Sequence, residues 1–440
     1  MASDDPRRRA RSVRSGQPSR SDAGSAGAGT GTGRRTGQDS SASRLAEARR
    51  VEERDAQRLG RFTGLRSLLN PLWCYHGFRA AVVVLTGFGV IMVFSSSTVS
   101  MVSAGRSPFS QAISQGMYCV MGLVVGVVFM CMYRRFSFAV VLFAMLLQLL
   151  TFTPLGVEVN GNAGWIGKRG VFTMQPAEVM KLALCIWLPA ALHWAKKHSG
   201  KIGKLRAYAP LTVLYLLCLG FVMLGKDLGT AMIVLFIGFV AFLLGGYPGK
   251  VLAAFAALGI IGIVGLIAYS PNRLNRVLAA YQECSGTDAQ KVCYQSIHAK
   301  YALAEGGLFG VGLGNSREKW NYLPEAHNDF IFAIIGEETG FIGAAIVIIL
   351  FVVLGGCMIS VALQTADRYA SVSLLCITVW LVGQALINIG VVVGVFPVMG
   401  VPMPFVSAGG SSLIMCLAAA GVAASLMRAQ PQIKADSSRA

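Results

Sequence analysis

Apolar runs long enough to cross a bilayer as helices recur ten times along the chain. They fall at about 80–99, 112–133, 137–155, 178–195, 208–225, 228–245, 250–269, 329–354, 371–395 and 405–427. The pattern predicts an all-α polytopic membrane protein with ten transmembrane helices. The shortest interruption is Lys226-Asp227, a tight polar hairpin between the fifth and sixth runs. Three interruptions on one side are polar and long enough to build a site: 156–177, 270–328 and the Pro-rich 396–404. The largest, 270–328, lies between the seventh and eighth helices, and a loop of that length is usually functional or separately structured.

Ahead of the first run, residues 1–79 are expected to form a basic cytoplasmic tail. Residues 1–60 are rich in Ser, Gly, Ala and Arg, with almost no large apolar side chain before Leu45. That composition cannot bury a core and predicts disorder, with room for a short juxtamembrane helix over 46–59. No apolar run lies near Met1, so the first span is expected to act as the insertion signal.

Composition agrees with the pattern. Of 440 residues, 54% are hydrophobic and 14% charged, with mean hydropathy +0.58. A soluble fold this apolar would lack the polar residues to cover its surface. The net charge of +18 could point to nucleic acid, but its distribution does not. Sixteen of the 39 basic residues, all Arg, precede residue 80, as expected of an anchor facing anionic lipid. With the N-terminus inside, 28 basic residues fall on the cytoplasmic side and ten outside, with Lys181 inside a helix. Both termini are then cytoplasmic, including a short tail at 428–440, and 270–328 is extracytoplasmic.

Eight of the ten cysteines lie in or beside apolar runs. Cys284 and Cys293 instead sit in the large outer loop, facing an oxidising compartment, and are expected to form a disulfide rather than two free thiols. No second pair of ligands accompanies them, which argues against zinc.

Four polar constellations lie on or near the outer face. Gln175-Pro176-Ala177-Glu178-Val179-Met180-Lys181 opens the fourth span, with Glu178 and Lys181 on one helical face. They form either a structural ion pair or part of a wet cavity. Gly225-Lys226-Asp227-Leu228-Gly229-Thr230 reads most simply as a turn with Asp227 near a helix N-terminus. The Gly-rich 306–316 leads through Arg317 and Lys319 to Leu323-Pro324-Glu325-Ala326-His327-Asn328-Asp329. It is no nucleotide loop, lacking a preceding strand and a Gly-Lys-Ser/Thr ending, but Gly permits close backbone approach to a ligand. Asp329 and Asn328 either cap the following helix or serve a site at the membrane surface. Last, 396–412 carries three prolines, Ser407, and the Gly-Gly-Ser-Ser run containing Ser411. Such a stretch either lines a cavity or packs helices closely.

The ordered motifs Gln-Pro-Ala-Glu-x-x-Lys, Lys-Asp-Leu-Gly-Thr, Leu-Pro-Glu-Ala-His-Asn-Asp-Phe-Ile-Phe-x-x-Ile-Gly-Glu-Glu and Pro-Phe-Val-Ser-Ala-Gly-Gly-Ser-Ser resemble the SEDS family across about 80–427. These are membrane glycosyltransferases of bacterial shape, elongation, division and sporulation. The wording around Pro324-Glu325-Ala326-His327 and Glu337-Glu338 looks more like the division member than the elongation member. Gly164, Ala177, Met399 and Ala408 depart from the usual family residues.

The resemblance implies a peptidoglycan polymerase in the bacterial plasma membrane, at the septum, using lipid II. Its implied partners are a class B penicillin-binding transpeptidase and other divisome proteins. It implies Asp329 as general base and undecaprenyl diphosphate as leaving group. Lys181, Arg317 and Lys319 would face the diphosphate, with Glu178, Glu325, His327, Ser407 and Ser411 around the substrate. A divalent cation, Mg or Mn, is compatible with such chemistry, yet no carboxylate cluster announces a metal site. Two other classes fit ten spans: a lipid II flippase or transporter, and a non-catalytic division scaffold. A transporter would often show internal repeats, and none is evident.

Overall fold

The computed structural model describes residues 69–159, 162–168, 172–269, 293–320 and 322–430, with isolated positions 274, 275, 277, 278, 281 and 433. The basic tail up to residue 68, Cys284 and most of 270–292 lie outside the described residues.

Among the described residues ten helices carry the fold. They are α1 (Pro71–Ser103), α2 (Ser110–Leu150), α3 (Pro176–Ile202), α4 (Lys204–Leu224), α5 (Leu228–Gly245), α6 (Gly249–Tyr269), α7 (Tyr294–Gly306), α8 (Ile331–Gln364), α9 (Arg368–Val392) and α10 (Gly410–Arg428). Each of the ten predicted apolar runs coincides with a helix, apart from its ends. The second and third runs merge in α2, whose backbone leaves helical geometry at Phe136, beside Arg134 and Arg135. The first helix starts at Pro71, nine residues before its apolar run, because Asn70 caps it and Pro71 occupies its first turn.

Eight helical stretches among the described residues are long and apolar enough to cross a bilayer. The helix α3 is not among them, since Glu178, Lys181, Lys196, Lys197 and Lys201 dilute its apolarity. In α6 the apolar stretch is Gly249–Gly262.

The expectation of an all-α chain needs one correction. Three strands, β1 (Gly156–Val159), β2 (Asn162–Lys168) and β3 (Phe172–Met174), form an antiparallel sheet in that order. Ala163 donates its N–H to the carbonyl of Gly225 at 3.1 Å, which ties the sheet to the α4–α5 hairpin.

The first half of α3 is buried at every position from Pro176 to Pro189, so it is the axis of the bundle. Against it stand α2, α4, α5, α9 and α10. Small residues allow the closest crossings: a Cβ on Gly421 would lie 2.5 Å from the carbonyl of Gly126. Large apolar side chains such as Val83, Val120, Val127 and Ile349 remain exposed, as expected of a lipid-facing surface.

Candidate functional site

Residues 322–330 deliver the chain into α8. Glu325 adopts a φ of +57°, and its carbonyl accepts the N–H groups of Asn328 (3.0 Å) and Phe330 (3.3 Å). The Asn328 side-chain amide donates to the Glu325 carboxylate. This turn is stitched to the Pro-rich segment. Ser407 Oγ donates to the Asn328 carbonyl at 2.6 Å, Ala408 N–H to the His327 carbonyl at 2.9 Å, and Met403 N–H to Ser407 Oγ at 2.8 Å.

The N-cap position of α8 falls to Phe330, one residue beyond Asp329. The partly exposed Asp329 therefore precedes the cap. Its carboxylate lies over bare backbone: a Cβ on Gly400, whose φ is +69°, would sit 3.5 Å from Asp329 Oδ2. Burial pushes the nearby His327 imidazole below its usual range, against the opposing pull of the Glu325 carboxylate.

One face of α9 organises the rest. Trp380, Gln384 and Asn388 follow at four-residue spacing and so line up along the helix. Asn388 Nδ2 donates to the carbonyls of Asp329 (2.8 Å) and Val401 (2.7 Å). Gln384 Nε2 donates to the Pro402 carbonyl at 2.8 Å, while its Oε1 accepts from Lys181 Nζ at 2.8 Å and Trp380 Nε1 at 3.1 Å. Lys181 also pairs with Glu178 at 2.8 Å, and both are only 1% exposed. Beside them Gln175 reaches Asp227 with its side-chain amide and Ser411 Oγ with its N–H. Asp227 in turn caps α5 by accepting Thr230 N–H at 3.0 Å.

A second network lies along α8. Lys319 Nζ meets Glu338 Oε1 at 3.0 Å, and Ser95 Oγ donates to the same carboxylate at 2.6 Å. Glu337 accepts from Ser316 Oγ (2.6 Å) and Arg317 N–H (2.5 Å). Just beyond, α8 breaks at Gly340 (φ +69°, ψ −170°). The Gly-rich segment repairs that break: Val311 and Gly312 donate to the carbonyls of Glu337 and Glu338, and Phe341 and Ile342 donate to those of Gly307 and Leu308. The close approach that glycine permits here is to protein backbone, and irregular backbone in such a chain needs that satisfaction.

Asp329, Glu325, His327, Ser407, Ser411, Glu178 and Lys181 thus join one hydrogen-bonded assembly, linked by α9. Lys319 belongs to the second network, buried and ion-paired, whereas the Arg317 side chain is exposed. Cys293 is disulfide-bonded. Among the described residues no three His, Cys, Asp or Glu side chains are grouped to hold a metal ion. Trp380, Gln384, Asn388, Gln175 and Ser95 were not singled out as site residues from the sequence. Two amides within one apolar run, Gln384 and Asn388, were the available signal, since polar groups at that depth seek partners inside the protein.

A family model described as cell cycle protein, covering FtsW, RodA and SpoVE, matches residues 76–432. A probable peptidoglycan glycosyltransferase FtsW of Mycobacterium tuberculosis is 33% identical over 369 residues, spanning 82% of this chain and 69% of the relative. The crystal structure of rod shape determining protein RodA from Thermus thermophilus is similar, with TM-score 0.57 and 26% identity over 81% of this chain and 97% of that one. A chain of a peptidoglycan synthase complex that coordinates polymerization and crosslinking gives TM-score 0.63 at 24% identity, covering 81% of this chain and 98% of that one, a likeness of fold.

Proposed function

The chain belongs to the FtsW, RodA and SpoVE family of cell cycle proteins, the SEDS family, and from that membership we propose a peptidoglycan glycosyltransferase that polymerises lipid II at the division septum. The observation that carries the chemistry is the setting of Asp329. In the matched motifs Glu178, Asp227, Glu337 and Glu338 are buried and held by hydrogen bonds from protein groups, and the partly exposed Glu325 accepts from the Asn328 side-chain amide. Asp329 is partly exposed, on a turn fixed by Asn388 and Ser407.

In this reading Asp329 takes the proton from the 4-hydroxyl of the acceptor N-acetylglucosamine as that oxygen attacks C1 of the donor N-acetylmuramic acid. A single displacement inverts the anomeric centre, so one carboxylate suffices, and undecaprenyl diphosphate leaves. The exposed guanidinium of Arg317 is suited to a bidentate hold on the departing diphosphate. Lys181 and Lys319, already paired with buried carboxylates, act on it through the shape and field of the site. Glu325, His327, Ser407 and Ser411 shape the substrate side of the turn. A Mg or Mn ion, if bound, would add charge compensation for the departing diphosphate, and the scheme does not depend on one.

The same reading gives ten spans, α3 and α6 included, with both termini cytoplasmic and a Cys284–Cys293 disulfide in the outer loop. It places the protein in the bacterial plasma membrane. A class B transpeptidase is the proposed partner, in keeping with the fold likeness to a chain of a peptidoglycan synthase complex. The test is polymerisation of lipid II by the purified chain, with and without that transpeptidase. Glycan strands are the expected product; a flippase or a scaffold would yield none.

A further inference from the structure

At the end of the bundle remote from Asp329, the C-terminal half of α3, the end of α5 and the start of α9 border a shallow, open surface pocket. Its floor is buried and largely apolar, from Pro189, Tyr369 and Val372, whereas its rim is exposed and basic, from His193, Lys196 and Arg368. Arg368 Nη2 donates to the Leu244 carbonyl at 2.9 Å, capping the end of α5. Neither the Lys196 ammonium nor the His193 ring has a hydrogen-bond or ion-pair partner among the described residues.

The carboxylate next along the chain, Asp367, is already engaged by Arg134 at 3.2 Å and caps α9 by accepting the Tyr369 N–H at 3.0 Å. The rim therefore carries more positive charge than the surrounding protein neutralises. Aromatic side chains with polar tips gather at this level: Trp194 stacks on His198 at 4.6 Å, and Tyr208 meets Tyr247 edge-on at 5.2 Å. Such residues concentrate at headgroup depth. A basic rim over an apolar floor at that depth matches the amphiphilic boundary between a phosphodiester and an acyl chain.

We infer that this pocket binds the phosphate-bearing headgroup of an anionic phospholipid. The proposed orientation assigns it to the inner leaflet; the inference does not involve the glycosyl-transfer chemistry. The experiment is native mass spectrometry of the full chain titrated with phosphatidylglycerol, phosphatidylcholine or inorganic phosphate. Phosphatidylglycerol should be retained over phosphatidylcholine, and Lys196→Gln should weaken it about five-fold. Lys196 makes no hydrogen bond through its ammonium, so this variant keeps the fold, whereas Lys196→Gln with Arg368→Gln should weaken retention about 25-fold. Lys197→Gln, on the same helix but outside the pocket, should leave it unchanged. Equal retention in Lys196→Gln, or equal loss in Lys197→Gln, would overturn the site. Displacement by inorganic phosphate at the same concentration as the lipid would overturn the lipid assignment.

Discussion

The side-chain amide of Asn388 holds the main-chain carbonyl of Asp329 at 2.8 Å and that of Val401 at 2.7 Å. One buried residue thus sets the distance between the turn that presents Asp329 and the Pro-rich segment beneath it. Asn388→Leu keeps the size and removes both donors. Its expected result is folded protein whose kcat for lipid II polymerisation falls on the order of 10²-fold while KM changes little, because small misplacement of a reacting group is costly. Steady-state polymerisation kinetics alongside thermal melting would check this, and wild-type kcat would count against it.

Glu178 and Lys181 are expected to behave as a buried pair. Lys181→Met strands the Glu178 carboxylate in the bundle axis and should destabilise the protein by about 3–5 kcal/mol. Adding Glu178→Gln removes the stranded charge and should recover much of that loss. Denaturation in detergent of the two variants and the wild type provides the comparison.

Gly310 and Gly314 give a paired test of the repaired break in α8. Both have positive φ, +83° and +84°. A Cβ on Gly310 would lie 2.2 Å from the Glu338 carbonyl, whereas one on Gly314 meets open space. Gly314→Ala should therefore cost only backbone strain, about 1–2 kcal/mol. Gly310→Ala should cost clearly more, read as a lower melting temperature, since it pushes the segment off α8.

The helices were legible because a bilayer-length apolar run has few other interpretations, and the motifs marked the turn at Asp329. The sheet of β1, β2 and β3 was not, although the sequence there contains Asn-Gly, the strongest short hairpin signal. Strands of three to seven residues carry too little periodicity to stand out beside long helices. The role of the Gly-rich segment was hidden for a different reason: its partner is a helix break about thirty residues on, and backbone pairing leaves no side-chain pattern. Lys319 read as a spare cation because the sequence could not place Glu338 and Ser95 against it.

His327 makes stability depend on pH. Its imidazole titrates below the usual range because burial disfavours the cation, so the unfolded chain binds the proton more readily than the folded one. The contribution is fully present above the unfolded pKa, near 6.5, and is lost as pH falls toward the depressed folded value. Melting temperatures between pH 7.5 and about 5 should therefore decline more steeply for wild type than for His327→Gln.

The central claim is that Asp329 is the base. Asn is nearly the same shape, so Asp329→Asn keeps the turn, the Asn388 contact to the main chain and any capping role while removing the proton acceptor. The decisive measurement is the initial rate of lipid II polymerisation by purified Asp329→Asn protein, shown to be folded and to bind its transpeptidase as wild type does. The predicted result is a loss on the order of 10²–10⁴-fold. Polymerisation at near wild-type rate would contradict it and turn attention to Glu325 or Glu338.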